Sequence, residues 1–304
     1  MSYRLQTGES VPQAMRRIAN EQIEKAIHEL ADSNRGRHDT VHQVRKRFKK
    51  LRGLVRLARP AMGKKYHQEN RWFRDAGRKF SHIRDAETLI ETVKRLETRS
   101  PSPMEIETLG RLRERLEDRR RALADEVNLD ALLAELRARL EKHRQSIVEW
   151  RFSDKSFSAV LDGVHITYDR ARDCMQTAFK KPTDENWHQW RKRAKYHWYH
   201  VRLLRSLWKP VMKVRSSELD RLADDLGDDH DLAVLMQRLR DQPEEFGGTE
   251  TMEILTPMVD AHRKELKQSA RRRGRLLFAE SSKRFVKRLK AYGKVWQNDA
   301  AGKN

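Results

Sequence analysis

Cysteine is almost missing from this chain of 304 residues: Cys174 stands alone, so no internal disulfide can form and a reducing setting is expected. Glycine and proline are scarce too, at 13 and 8 residues, which leaves long segments without helix breakers. No apolar run approaches the length of a membrane span, and the opening MSYRLQTGES lacks the apolar region of a signal peptide. These absences predict a cytoplasmic protein with no membrane attachment. Glycine-rich phosphate loops of the GxxxxGK[ST] and GxGxxG kinds do not occur, nor does a CxxC pair. One stretch also lacks acids entirely. Residues 41–60, VHQVRKRFKKLRGLVRLARP, contain no Asp or Glu.

What is present in excess is positive charge. The chain has 66 Lys and Arg against 45 Asp and Glu, a net charge of +21, with a pI near 10.2. Such an excess calls for a polyanionic partner: nucleic acid, an acidic membrane surface or a phosphate polymer. The plain alternative is a basic, solvated surface.

Apolar residues recur at spacings of three and four between the few breakers, and no alternating β-branched pattern competes, so the predicted fold is all-α. Val11, Met15, Ile18, Ile23, Ile27 and Leu30 define a first amphipathic helix. The turn formers ADSNRGRHDT follow, then a helix that Pro60 ends. Further helices are expected over 66–96, with a break near FSHIRDA, and over 104–126 and 129–150, after a loop at TRSPSP. After the linker RFSDKSFS the order repeats, at 158–180, 184–208, 213–240, 252–273 and 276–296.

The repetition extends to individual residues. Residues 42–59 and 188–205 are identical at ten of 18 positions, at an offset of 146. At the same offset RDAETL (84–89) matches HDLAVL (230–235), which pairs Asp85 with Asp231. RPAM (59–62) and KPVM (209–212) match at an offset of 150, and the four-residue difference equals about one helical turn, a change a helix absorbs without rotating its core face. A tandem duplication is the economical account. It predicts two similar bundles, residues 1–150 and 151–304, related by approximate two-fold symmetry.

On a helical wheel of about 100° per residue, Val41, Val44, Phe48, Leu51 and Val55 form one stripe. His42, Arg45, Lys46, Lys49, Arg52 and Arg56 supply the basic surface beside it. In the copy Trp187, Trp190, Ala194 and Val201 pack, while His188, Arg191, Lys192, Lys195 and Arg202 supply the basic surface. Like charges three and four residues apart repel and weaken a helix by a few tenths of a kcal/mol each. A bound polyanion would relieve that repulsion. Carboxylates from other helices, Asp85 and Asp231 among them, could do so instead, as partners orienting the stripes or as helix N-caps. Arginine offers phosphate a forked donor and lysine a mobile point charge. If His42 and His188 also donate to phosphate, affinity should rise as pH falls from about 8 to about 6.

The two HQxRKRxK helices, each followed by an Asp-containing RDAETL or HDLAVL helix, resemble the CHAD family, the conserved histidine α-helical domain. The resemblance runs from about Ser10 to Trp296. It implies an all-helical protein of two four-helix-type bundles with pseudo-two-fold symmetry that binds inorganic polyphosphate and associates with polyphosphate granules. By position it assigns the binding role to His42, Arg45, Lys46 and Lys49, and to His188, Arg191, Lys192 and Lys195. Some relatives carry a fused triphosphate tunnel domain, for which this chain has no room, so catalysis of that kind is not carried over. Where Arg84 stands opposite His230, and Lys50 and Arg52 opposite Tyr196 and Trp198, the copies differ, and the second site is expected to be less basic.

Three rival functions fit parts of the sequence. GDDHDL (227–232) contains a His-Asp pair that would suit a metal-dependent phosphohydrolase, but the matching position in the first half is Arg84, which cannot ligate a metal. No metal, cofactor or catalytic residue is therefore expected. Nucleic acid suits the charge and is the secondary partner, but the first stripe has no aromatic residue on which bases could stack. A helical interaction module would use the long helix pairs, where the RRR triplets of RLEDRRRAL and QSARRRGRLL could instead extend the basic track. Oligomeric state is left open.

Overall fold

Local sequence caps some helix starts with side chains and leaves others without such a cap. Ser10 accepts from the Gln13 amide while the Gln13 side chain accepts from Ser10 N, a capping box that opens α1 (Val11–Ala31). Gly36 precedes α2 (Arg37–Leu57), which ends three residues before Pro60. Pro60 does not merely stop a helix: it sits in the first turn of the short α3 (Arg59–Met62), where its missing N–H costs nothing. Gly63, at φ +51°, closes α3, a conformation that suits glycine.

The computed structural model describes residues 3–99, 102–126 and 128–301. Within them the chain is all-α. After α3 come α4 (Lys64–Arg78), α5 (Ser81–Glu97), α6 (Pro103–Glu126) and α7 (Leu129–Gln145), then a 3-10 turn at Ser146–Glu149. The second half has α8 (Phe157–Lys180), α9 (Asp184–Leu203), α10 (Lys209–Asp241), a 3-10 turn at Pro243–Phe246, α11 (Gly248–Leu277) and α12 (Ser282–Ala301). The expected break near FSHIRDA falls at Lys79 and Phe80. The expected loop TRSPSP includes residues 100 and 101, which lie outside the described residues.

Two helix boundaries differ from expectation in an informative way. α9 stops at Leu203, and residues 204–208 form the turn into α10, so the extra residues at SLWKP lie in a turn and are not absorbed by a helix. Conversely, where the first half breaks at Gly63 and again at 79–80, the second half runs as the single 33-residue α10.

Apolar residues gather into two cores, and each draws on both sides of residue 150. The larger joins α1, α2, α4 and α7 to α8, α9, α12, the start of α10 and the end of α11, with Trp150, Trp190, Phe48 and Tyr168 fully buried. The smaller joins Leu89, Ile90 and Val93 of α5 and Leu109, Leu112 and Leu116 of α6 to Leu232, Leu235 and Leu239 of α10 and Leu255 and Val259 of α11. Gly163 lets α8 approach the end of α2 closely: a Cβ there would meet the Leu57 carbonyl oxygen at 1.9 Å. Among the described residues no helix is long and apolar enough to cross a membrane.

Candidate functional site

The two motif helices, α2 and α9, pack directly on each other. They cross where Gly53 meets Tyr199, and a Cβ on Gly53 would lie 2.9 Å from Tyr199 Cβ, so glycine is what lets the backbones come this close. His200 Nε2 lies 3.0 Å from the Gly53 carbonyl oxygen; an oxygen can only accept, so Nε2 carries the proton. Burial pushes that imidazole down to about 3, and it therefore acts as a neutral, structural donor.

Residues of the two motif copies face one another across this crossing. Lys49 is faced by Lys195, its own counterpart, and by Arg191, the counterpart of Arg45. On the other side Arg56 lies 3.9 Å from the centre of the Tyr196 ring, and at the equivalent pair Lys50 and Arg202 are electrostatic neighbours.

The consequence is one cleft of about 490 Å³ rather than two separate grooves. It takes Arg45, Lys49 and Arg52 from α2 and His188, Arg191, Lys192 and Lys195 from α9. α4 adds Arg74 and Arg78, which the sequence reading missed. Arg71, Arg74 and Arg78 do recur at helical spacing, but the acid Asp75 interrupts the run, so a search for acid-free segments passes over it. The remaining expected residues do not line the cleft. His42 is half-buried beside Arg84 and Glu91, Lys46 is exposed nearby, and Arg56 and Arg202 lie over aromatic rings, Arg202 at 4.6 Å from that of Trp198.

Charge in the cleft is nearly unopposed. Of its eight lysines and arginines, only Arg74 forms an ion pair among the described residues, with the adjacent Asp75 at 2.7 Å. Arg45 is positioned by neutral groups instead: Nη1 donates to the Gly77 carbonyl and lies 3.5 Å from Ser81 Oγ. Arg52 Nε donates to Asn70 Oδ1 at 3.3 Å. The Nε donors of Arg45 and Arg191, at equivalent positions, are buried without an acceptor among the described residues. Lys49 registers this crowding most. Loss of hydration within the cleft, then the charges of Arg45, Lys195, Arg191 and Arg84, push its ammonium down to about 7, although the side chain remains exposed. Lys195 is lowered by burial and Arg191, but Asp224, Asp220 and Asp231 act in the opposite direction.

The two expected acidic partners behave differently from each other. Neither caps a helix: Asp85 lies beyond the first turn of α5, and Asp231 lies deep within α10. Asp85 is exposed, makes no ion pair or hydrogen bond among the described residues, and acts on Arg45 only through space. Asp231 lies 3.6 Å from Arg95 of α5, and burial raises its carboxyl above the usual range while Arg191 pulls it back. Its neighbours in GDDHDL are also committed to helix packing, Asp228 to Arg95 at 3.6 Å and the buried Asp229 to Arg263 of α11 at 2.9 Å. The His230 ring rests 4.0 Å from His188, and burial with that neighbour pushes it down to about 3.

Both motif histidines are lowered from the ordinary imidazole value. Burial comes first for each, followed by Arg84 for His42 and by Lys192 and Arg191 for His188. A cationic neighbourhood disfavours a further cation, while Glu91 beside His42 and Glu185 beside His188 act in the opposite direction. The RRR triplets do not extend the cleft either. Arg119, Arg120, Arg121 and Arg273 pair with Glu245, Glu87, Asp118 and Glu218 respectively, and Arg271 lies 5.4 Å from the Trp187 ring centre. Trp187, Trp190, Trp198 and Tyr199 are all buried.

Fold and cleft together define an all-helical protein with a concave, cationic face built from the two motif helices. The family model for the CHAD domain matches residues 17–240, about three quarters of the chain, and the chain belongs to that family. No curated protein matches it.

Proposed function

We propose that this protein binds inorganic polyphosphate in the cleft between α2 and α9, as a binding protein and not as an enzyme. The observation that carries the reading is the set of seven lysines and arginines that line one cleft with no ion-pair partner among the described residues, in a chain whose other cations are so often paired. Cations left unpaired by the fold are available to an external anion, and a polymer of closely spaced phosphates can engage several at once. Residues from both stripes line the cleft, so one strand would contact both halves of the chain. We further infer that the halves arose by duplication, since ten of 18 residues of 42–59 recur at 188–205 and the counterparts Lys49 and Lys195 are electrostatic neighbours across the crossing. A cytoplasmic setting and association with polyphosphate granules belong to the same proposal.

Polyphosphate is preferred to nucleic acid because the aromatic residues nearest the cleft offer bases little free surface. Tyr199 is buried and Tyr196 carries the Arg56 guanidinium on its ring. Competition between polyphosphate and single- or double-stranded DNA and RNA at physiological salt tests this ranking; nucleic acid winning reverses it. Lys49→Glu, Arg191→Glu and Lys195→Glu combined should abolish polyphosphate binding, whereas Lys46→Glu outside the cleft should weaken it only a few-fold. Unchanged affinity in the triple variant rejects the cleft as the site. Steady release of phosphate from polyphosphate would overturn the non-catalytic reading.

A further inference from the structure

Lys49 is placed for chemistry as well as for charge. Its side chain is exposed within the cleft and makes no ion pair or hydrogen bond among the described residues. The charged groups facing it are Arg45 on its own helix, Arg191 and Lys195 from α9, and Arg84 from α5. Arg74 and Arg78 of α4 line the same wall, and the carboxylates Asp220, Asp224 and Asp231 of α10 act on Lys195. Surrounding cations favour the neutral, nucleophilic form of an amine. The same cations would hold a phosphate group next to it.

We propose that Lys49 is a self-acylating site for small acyl phosphates, the mixed anhydrides of a carboxylic acid and phosphoric acid. This rests on the reading of the cleft as a phosphate site. Arg45, Arg191 and Lys195 hold the phosphate end, and neutral Nζ attacks the acyl carbon. An amide C–N bond forms as the acyl C–O bond to phosphorus oxygen breaks. Inorganic phosphate leaves with the bonding pair, and the proton released by the amine passes to it. An amine lowered by neighbouring cations has a larger neutral fraction at neutral pH than an ordinary lysine, which is neutral in fewer than about one molecule in a thousand. Polyphosphate has no acyl carbon and protects Lys49. Once acylated, Lys49 loses its charge at the centre of the cleft, so the modification lowers the affinity of the cleft for polyanions.

The test exposes the intact protein to acetyl phosphate and follows acetylation of each lysine by peptide mass spectrometry, with exposed Lys46 on the same helix as the internal reference. Lys49 should react at least tenfold faster than Lys46, reach half its maximal rate near pH 7, and be suppressed several-fold by polyphosphate or by Arg191→Glu. The N-hydroxysuccinimide ester of acetic acid, an uncharged donor, should show a smaller preference for Lys49. Equal rates at Lys49 and Lys46 with acetyl phosphate overturn the proposal, as does a preference that the uncharged ester reproduces in full. Titration of unmodified protein with polyphosphate separates the two readings. Normal binding with unselective acetylation sinks the acylation site alone, whereas no binding sinks the function on which it rests.

Discussion

The residue from which a pH dependence of binding is expected is Lys49, although the motif draws attention to its histidines. His42 and His188 are held below their ordinary value, whereas Lys49 is brought to about 7 by dehydration and four neighbouring cations. Protonated Lys49 attracts phosphate and neutral Lys49 does not, and a bound anion raises its pKa. Polyphosphate affinity should therefore fall as pH rises through about 7, by up to roughly tenfold between pH 6 and pH 8 for a shift of about one unit on binding. Lys49→Met should flatten that profile, while His42→Gln and His188→Gln should leave its slope in place; isothermal titration at fixed salt would show both. The sign for folding is the opposite. A lysine whose folded pKa is depressed lets stability rise as pH increases from about 7 towards the ordinary lysine value, because there the unfolded chain holds the extra proton. At this scale residue types were legible in the sequence, but ionisation was not, since it depends on which charges the fold brings near.

At the scale of elements, the α2–α9 crossing is the joint that makes the cleft. Its closeness depends on Gly53 against Tyr199, with the His200 hydrogen bond alongside. Gly53→Ala should destabilise the protein by about 1–3 kcal/mol through overpacking against a buried ring, seen as a lower urea midpoint. It should also weaken polyphosphate binding where the protein remains folded, because the helices that carry Lys49 and Lys195 are pushed apart. Helix existence was well marked in the sequence by the apolar stripes of α2 and α9, whose members are buried where expected. Boundaries were less so. Pro60 reads as a stop, yet in the fold it starts α3, since proline is tolerated in a first turn, and the matching Pro210 begins α10.

Across the whole molecule, binding should carry the signature of released counterions. If about five cleft cations are neutralised by phosphates, with a slope of roughly 0.7 per contact as for single-stranded nucleic acids, affinity should drop on the order of a hundredfold between about 50 and 200 mM salt. Fluorescence anisotropy with labelled polyphosphate across that range would measure the slope. A slope near zero would mean that contacts other than ionic ones dominate. The net charge of +21 made a polyanionic partner a reasonable expectation, but it did not distinguish cations that are spent from cations that are free. Arg119, Arg120 and Arg273 look as basic in the sequence as Arg191 does, and each is paired in the fold.

By itself the sequence determined the helical class, the recurrence at 146 residues and the two acid-free or acid-poor stripes, because amphipathic periodicity and local charge are properties of neighbours along the chain. Only the tertiary structure decided that the stripes open onto one cleft, that Arg74 and Arg78 join them, and that Asp85 and Asp231 leave Lys49 and Arg191 without an ion pair. Those outcomes rest on close packing at Gly53 and on distances between helices far apart in sequence. Electrostatic energy depends on separation in space, and separation along the chain does not report it.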